Sequence, residues 1–220
     1  MNISTTTTSA PAVTESRSWA KTALLWMPTF LGFPIGGLVA EVVGRVDSPA
    51  PAIAGGAITG AILGIAQWLG MRRTGPSPIA WVVSTAVGFA VGLGLGAAAA
   101  DYQTNIGALA IQGAICGGGV GVAQAAVLYR KLGRIVLGWP ALLAWSWALG
   151  WTITASAGID VEAQYTSFGA SGALAVTALT SILPIELARR QQRDCDEPPR
   201  RVWNRPDRPP CRHPAARIGQ

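Results

Sequence analysis

The sequence predicts an all-α, polytopic membrane protein: six transmembrane helices arranged as three parallel helical-hairpin repeats. Three observations predict it. Half of the 220 residues are hydrophobic and only 13% are charged. Half of the 28 charged side chains fall in the last 35 positions, which leaves 14 charges for the first 185 residues, too few to clothe a water-soluble fold. Six runs free of Asp, Glu, Lys and Arg follow one another at 22–40, 48–71, 74–100, 102–129, 135–159 and 163–185. Each run is long enough to cross a hydrocarbon core about 30 Å thick once, and none is long enough to cross twice. None shows the two-residue alternation of barrel strands, so the backbone must satisfy itself as helix.

The spans are placed at about 22–40, 50–71, 79–100, 105–129, 135–157 and 166–186, a transmembrane domain over 22–188. Residues 1–21 read as a flexible leader with a Thr run at 5–8. Residues 189–220 read as a disordered tail rich in Arg and Pro. Span one, with its basic flank and a small residue at Ala40, has the look of a cleaved signal peptide. Leu38 is bulky where such a site wants a small residue, and the span belongs to a repeat, so it reads as a retained helix.

Orientation follows from Lys and Arg at the span ends. Arg17, Lys21, Arg72, Arg73, Arg130, Lys131, Arg134, Arg189, Arg190 and Arg193 lie on one side, and Arg45 alone lies on the other. Both termini are therefore expected in the cytoplasm. Trp19, Trp68, Trp81, Tyr129 and Trp139 read as aromatic anchors at the inner interface, with Tyr102 and Tyr165 at the outer one. Pro28 and Pro34 are expected to bend span one, and Pro140 and Pro184 sit near the inner ends of spans five and six.

The repeat is visible residue by residue. Gly56-Ala57-Ile58-x-Gly60-x-x-x-Gly64-x-Ala66-Gln67 in span two recurs as Gly113-Ala114-Ile115-x-Gly117-x-x-x-Gly121-x-Ala123-Gln124 in span four. Thr29-x-x-Gly32-Phe33-x-x-Gly36 in span one recurs as Thr85-x-x-Gly88-Phe89-x-x-Gly92 in span three, with a worn echo, Gly150-Trp151-x-x-Thr154, in span five. Paired spans run the same way, so the repeats are parallel. Gly56, Gly60 and Gly64 share one helix face, as do Gly88, Gly92 and Gly96, and Gly113, Gly117 and Gly121. Lipid gives little hydrophobic drive between helices, so such small-residue stripes are the packing faces, chiefly within the chain.

Gln67 and Gln124 hold equivalent places one turn from the inner ends of spans two and four. They are candidates for an interhelical hydrogen bond that fixes register, or for the polar mouth of a pathway between hairpins. Gln112, Thr59, Ser84, Thr85, Ser146 and Thr152 are expected to bond locally. Glu41, Asp101 and Glu186 sit at span ends within reach of water. His213 is the one histidine and lies in the tail, so no histidine base or ligand is available at membrane depth. Cys195, Cys211 and His213 fit no compact zinc site, and Cys116 reads as a small packing residue. The glycine runs at 92–96 and 117–119 lack the strand and the Lys-Ser/Thr of a nucleotide loop. No catalytic, metal-ligating or cofactor-binding residue is expected, and no cofactor.

The hairpin ending Gly-Ala-x-x-Gly-x-x-x-Gly-x-x-Gln-Trp and then Arg-Arg resembles a motif of small multi-span bacterial membrane proteins of unknown activity. Gly56 to Arg73 carries it in full. Gly113 to Arg130 carries it with Ala125 in place of the Trp. The resemblance implies a bacterial inner-membrane protein and brings no substrate or mechanism. The expected partners are the lipid bilayer and either a second copy or another membrane protein. Nucleic acid is not expected, because the tail mixes both signs of charge. The function read from this pattern is non-enzymatic packing, assembly or partner binding; the alternative is a small-solute or ion channel or carrier with its pathway between the hairpins.

Overall fold

The computed structural model describes residues 12–158 and 170–196, with the side chains of 19–158, 171–193 and 195. Their regular structure is all helical, joined by short loops, with no strand among them: α1 (Ala12–Trp26), a 3-10 turn (Met27–Leu31), α2 (Gly32–Ala40), a second 3-10 turn (Glu41–Val43), α3 (Pro49–Met71), α4 (Pro78–Ala99), α5 (Ile106–Leu132), a third 3-10 segment (Gly133–Gly138), α6 (Trp139–Ser156), α7 (Ala170–Thr180) and α8 (Ile182–Asp196). Five helical stretches are long and apolar enough to cross a membrane: Trp19–Val43, Pro49–Met71, Pro78–Ala99, Ile106–Ser156 and Ser171–Arg193.

The fourth stretch, 51 residues long, holds α5 and α6. Gly133, at φ +60° and ψ −147°, stops α5 in a conformation that suits a residue without Cβ. The chain then folds back, so that Gly113, Gly117 and Gly121 of α5 lie against Trp147, Leu143 and Pro140 of α6 in antiparallel order.

Local chemistry sets the other boundaries. Proline stands in the first turn of α3, α4 and α6, where its missing N–H is harmless. Pro140 therefore starts a helix rather than bending one. Asn105 caps α5, its Oδ1 accepting from the Ala108 N–H at 3.0 Å. Pro28 sits in the 3-10 turn that divides α1 from α2, and Pro34 falls in the first turn of α2, where it is tolerated. Pro184 cannot donate to the Thr180 carbonyl, and the helix breaks at Ser181, between α7 and α8.

Helix extends past the apolar runs at both ends of the chain. α1 takes in residues 12–21 of the expected leader, and α8 runs eight residues into the expected tail. Ala, Arg, Gln and Glu are good helix formers, so a run ends where the charge begins and the helix does not. The Glu186–Arg190 pair, 2.8 Å at i,i+4, adds support in α8, and the Arg189 guanidinium stacks 3.9 Å from the centroid of the Trp19 ring in α1. The remaining parts of the leader and tail, 1–11 and 197–220, lie outside the described residues, as does Tyr165.

The helices form a ring in chain order: α1/α2, α3, α4, α5, α6, α7/α8, then back to α1. Phe33 of α2, Phe89 of α4 and Trp147 of α6 are not ring neighbours, yet both Phe rings meet Trp147 edge-on, at 5.2 and 5.0 Å between centroids. That contact marks and fills the centre. The outer surface is apolar. On α4, Ile79, Val83, Val87, Val91 and Leu95 form a stripe at four-residue spacing, each 51–75% exposed, while Gly88, Gly92 and Gly96 are buried.

Candidate functional site

The glycine stripes all point the same way round the ring. A Cβ on Gly56 would stand 2.9 Å from the Phe89 carbonyl oxygen, and one on Gly60 2.8 Å from the Ala86 Cα, so the α3 stripe faces α4, with Gly64 against Val82 at 3.0 Å. Gly88, Gly92 and Gly96 of α4 face Val120, Cys116 and Gln112 of α5, and the stripe of Gly113, Gly117 and Gly121 faces α6. Gly32 and Gly36 seat α2 on Leu63 and Thr59 of α3, and Gly150 meets Gly172 of α7. Each of these glycines lies against backbone atoms of the neighbouring helix, which is what small residues at i,i+4 permit, and at Gly60, Gly113 and Gly150 a side-chain atom of that neighbour is nearer still.

The two glutamines are brought together. Gln124, 1% exposed, donates from Nε2 to Gln67 Oε1 at 3.2 Å and to Thr85 Oγ1 at 3.0 Å. Trp139 Nε1 donates to Gln124 Oε1 at 3.0 Å. An indole N–H can only donate, so it fixes which end of the Gln124 amide faces α6. Thr85 Oγ1 in turn donates to the Trp81 carbonyl at 2.8 Å. One side chain thus ties α3, α4, α5 and α6. All the groups are neutral amides, hydroxyls and an indole, an arrangement suited to holding helices in register or to contacting a polar solute.

Sequence reasoning missed both Trp139 and Thr85 as partners. Trp139 and Trp81, read as interfacial anchors, are core residues: Trp81 is fully buried and Trp139 nearly so. The polar end of Trp139 is satisfied inside the protein, so it has no need of the interface. Ser84, Thr85 and Thr152 bond their own helix, at 2.9, 2.8 and 2.8 Å. Thr59 and Ser146 do not; their buried hydroxyls have no partner among the described residues. Gln112 is buried on α5, and its carbonyl oxygen would stand 2.7 Å from a Cβ on Gly96.

A second clasp closes the ring. Trp26 Nε1 donates to the Thr177 carbonyl at 3.1 Å and to Thr180 Oγ1 at 3.3 Å. Lys131 Nζ donates to the Thr74 and Gly75 carbonyls at 3.1 and 2.7 Å, tying the end of α5 to the α3–α4 loop. Glu41 and Asp101 are exposed at helix ends, and Glu186 is half-buried in its pair with Arg190. Cys116 is buried with its thiol 3.9 Å from the Phe89 carbonyl oxygen. Cys211 and His213 lie outside the described residues.

No protein-family model matches the chain, and comparison with the curated proteins and with the solved structures likewise returns no match. The functional reading therefore rests on this geometry.

Proposed function

We propose that the chain is a bacterial inner-membrane protein that crosses the bilayer six times, as three parallel hairpins with both termini in the cytoplasm. Its role is non-enzymatic: a rigid helical ring that packs with, assembles or anchors another membrane component, either a second copy or a different membrane protein. The observation that carries this reading is the filled centre. Phe33, Phe89 and Trp147 occupy the axis, Gln67 and Gln124 use their amides on each other, and the glycine stripes are spent inside the chain. The 51-residue stretch folded back at Gly133 supplies two of the six crossings. A lipid-facing exterior accounts for the apolar ridge on α4, which water would penalise.

Reporters fused after Arg73 and after Asp101 test the topology. Opposite compartments are expected, and the same compartment refutes it. In-membrane crosslinking tests the role. A reproducible adduct is expected, and a chain that crosslinks to nothing, including itself, refutes an assembly function.

A second reading, a small-solute or ion pathway between the hairpins, is favoured by one observation: a polar cluster of Gln67, Thr85 and Gln124 lies inside the ring, while the exposed ridge of α4 is apolar. Purified protein in liposomes should then pass a solute, and Gln67→Leu with Gln124→Leu should change the flux. An absence of leak across a broad solute panel removes this reading.

A further inference from the structure

We propose that the cleft between the α5–α6 turn and α8 binds one anionic phospholipid of the cytoplasmic leaflet, its acyl chain on the apolar floor and its phosphate on Arg189. The inference rests on the membrane reading above. The cleft measures about 210 Å³ and is floored by Leu132, Val136, Leu142 and Leu183, with Glu186 and Arg189 as its charged members. That volume is below the roughly 300 Å³ of a typical small-molecule pocket, which favours part of a linear chain over a compact soluble ligand. Ile135 and Ile182 stand exposed at its edge, so the apolar floor runs out onto the lipid-facing surface.

Charge sets the headgroup. The Glu186 carboxylate is already paired with Arg190 at 2.8 Å. Arg189 makes no ion pair among the described residues, and its guanidinium lies 3.9 Å from the Trp19 ring centroid, a contact that positions the cation without itself neutralising it. Arg190 Nη1 reaches the Lys131 carbonyl at 3.4 Å, which brings the basic face of α8 beside Arg130, Lys131 and Arg134. Planar guanidinium groups match phosphate oxygens in geometry, and basic pockets between helices on the cytoplasmic side suit phosphorylated headgroups. The remainder of the chain is a poor occupant: residues 197–220 carry six Arg against Glu197 and Asp207, the same sign as Arg189.

The test uses the purified full chain in detergent with equal amounts of phosphatidylglycerol and phosphatidylcholine of matched acyl chains, and native mass spectrometry counts the lipid retained. One phosphatidylglycerol per chain is expected, preferred by about tenfold, because the choline cation of phosphatidylcholine offsets the phosphate that both lipids offer to Arg189, and one basic side chain favours a net anionic lipid by that order. Arg189→Gln should bring the preference close to parity, and Arg72→Gln, an exposed cation at the same end of the ring, should leave it intact. Leu142→Trp keeps Arg189 and fills the cleft. It should lower retention of both lipids, and it keeps the proposal testable if Arg189→Gln fails to fold. Excess inorganic phosphate should not displace the lipid, since the floor recognises its chain; displacement would mark an anion site rather than a lipid site and overturn the proposal.

Equal retention of the two lipids overturns it as well. So does an Arg72→Gln effect as large as that of Arg189→Gln, which would mean a diffuse field. Stronger lipid retention by a chain ended after residue 196 would make the tail the native occupant and equally overturn it. Recovery of the chain from the aqueous phase without detergent would instead refute the membrane reading, so the two failures are distinguishable.

Discussion

Gly92 and Gly118 offer a clean measure of how tightly the ring is packed. A Cβ on Gly92 would stand 2.8 Å from both the Cα and the carbonyl oxygen of Cys116, so Gly92→Ala forces backbone against backbone. Restoring an ordinary carbon contact of about 3.5 Å requires α4 and α5 to part by about 0.7 Å. A gap of that size forfeits roughly a quarter to a half of each dispersion contact beside it, and Gly88 and Gly96 share the interface. The expected cost is about 1–3 kcal/mol, the usual range for overpacking. Gly118, on α5, has only the Ala144 Cβ of α6, at 3.8 Å, within 4 Å of an added methyl, so Gly118→Ala should destabilise by no more than about 0.5 kcal/mol. Reversible unfolding of the purified protein in mixed micelles, followed by helical circular dichroism against rising denaturing-detergent fraction, gives both numbers. Equal midpoints for the two variants would refute the backbone-contact account of the glycine stripes.

Gln124→Leu should cost about 1–3 kcal/mol in the same assay, because it strands the Trp139 indole donor in the core; Gln67→Leu should cost less, since Gln124 keeps Thr85 and Trp139. Trp147→Ala should cost about 3–5 kcal/mol by emptying the centre, and Trp147→Phe appreciably less; a neutral Trp147→Ala would mean that the axis is not filled by that ring. Gly133→Ala should cost about 1–3 kcal/mol through backbone strain alone, since nothing lies within 4 Å of the added methyl, whereas Gly138→Ala, equally open but without a positive φ, should be silent.

The apolar runs at 48–71, 74–100 and 102–129 were legible as helices because lipid demands about 20 uncharged residues and nothing else in the chain supplies them. The ends of α1 and α8 were not, because hydropathy records where the lipid stops, and a helix of Ala, Arg and Gln continues past that point. The inward faces were legible only through Gly88, Gly92 and Gly96 and their counterparts. Core and lipid are equally greasy, so Val87 and Phe89 look alike in sequence although one faces out and the other fills the centre. The Gln67–Gln124 pairing was foreshadowed by their equivalent positions. Trp139 was not, since its role depends on where Gly133 turns the chain, and an aromatic near a span end reads first as an anchor. Thr177 and Thr180 gave no signal at all. Their partner, Trp26, is 151 and 154 positions away.

That separation has a consequence for biosynthesis. A nascent chain that has emerged only as far as α6 is a crescent with two raw edges, and the Trp26 indole waits with its hydrogen unclaimed until α7 arrives to receive it. The clasp can therefore close only once α7 has been made, and a chain cut short before residue 170 lacks both partners of the Trp26 indole.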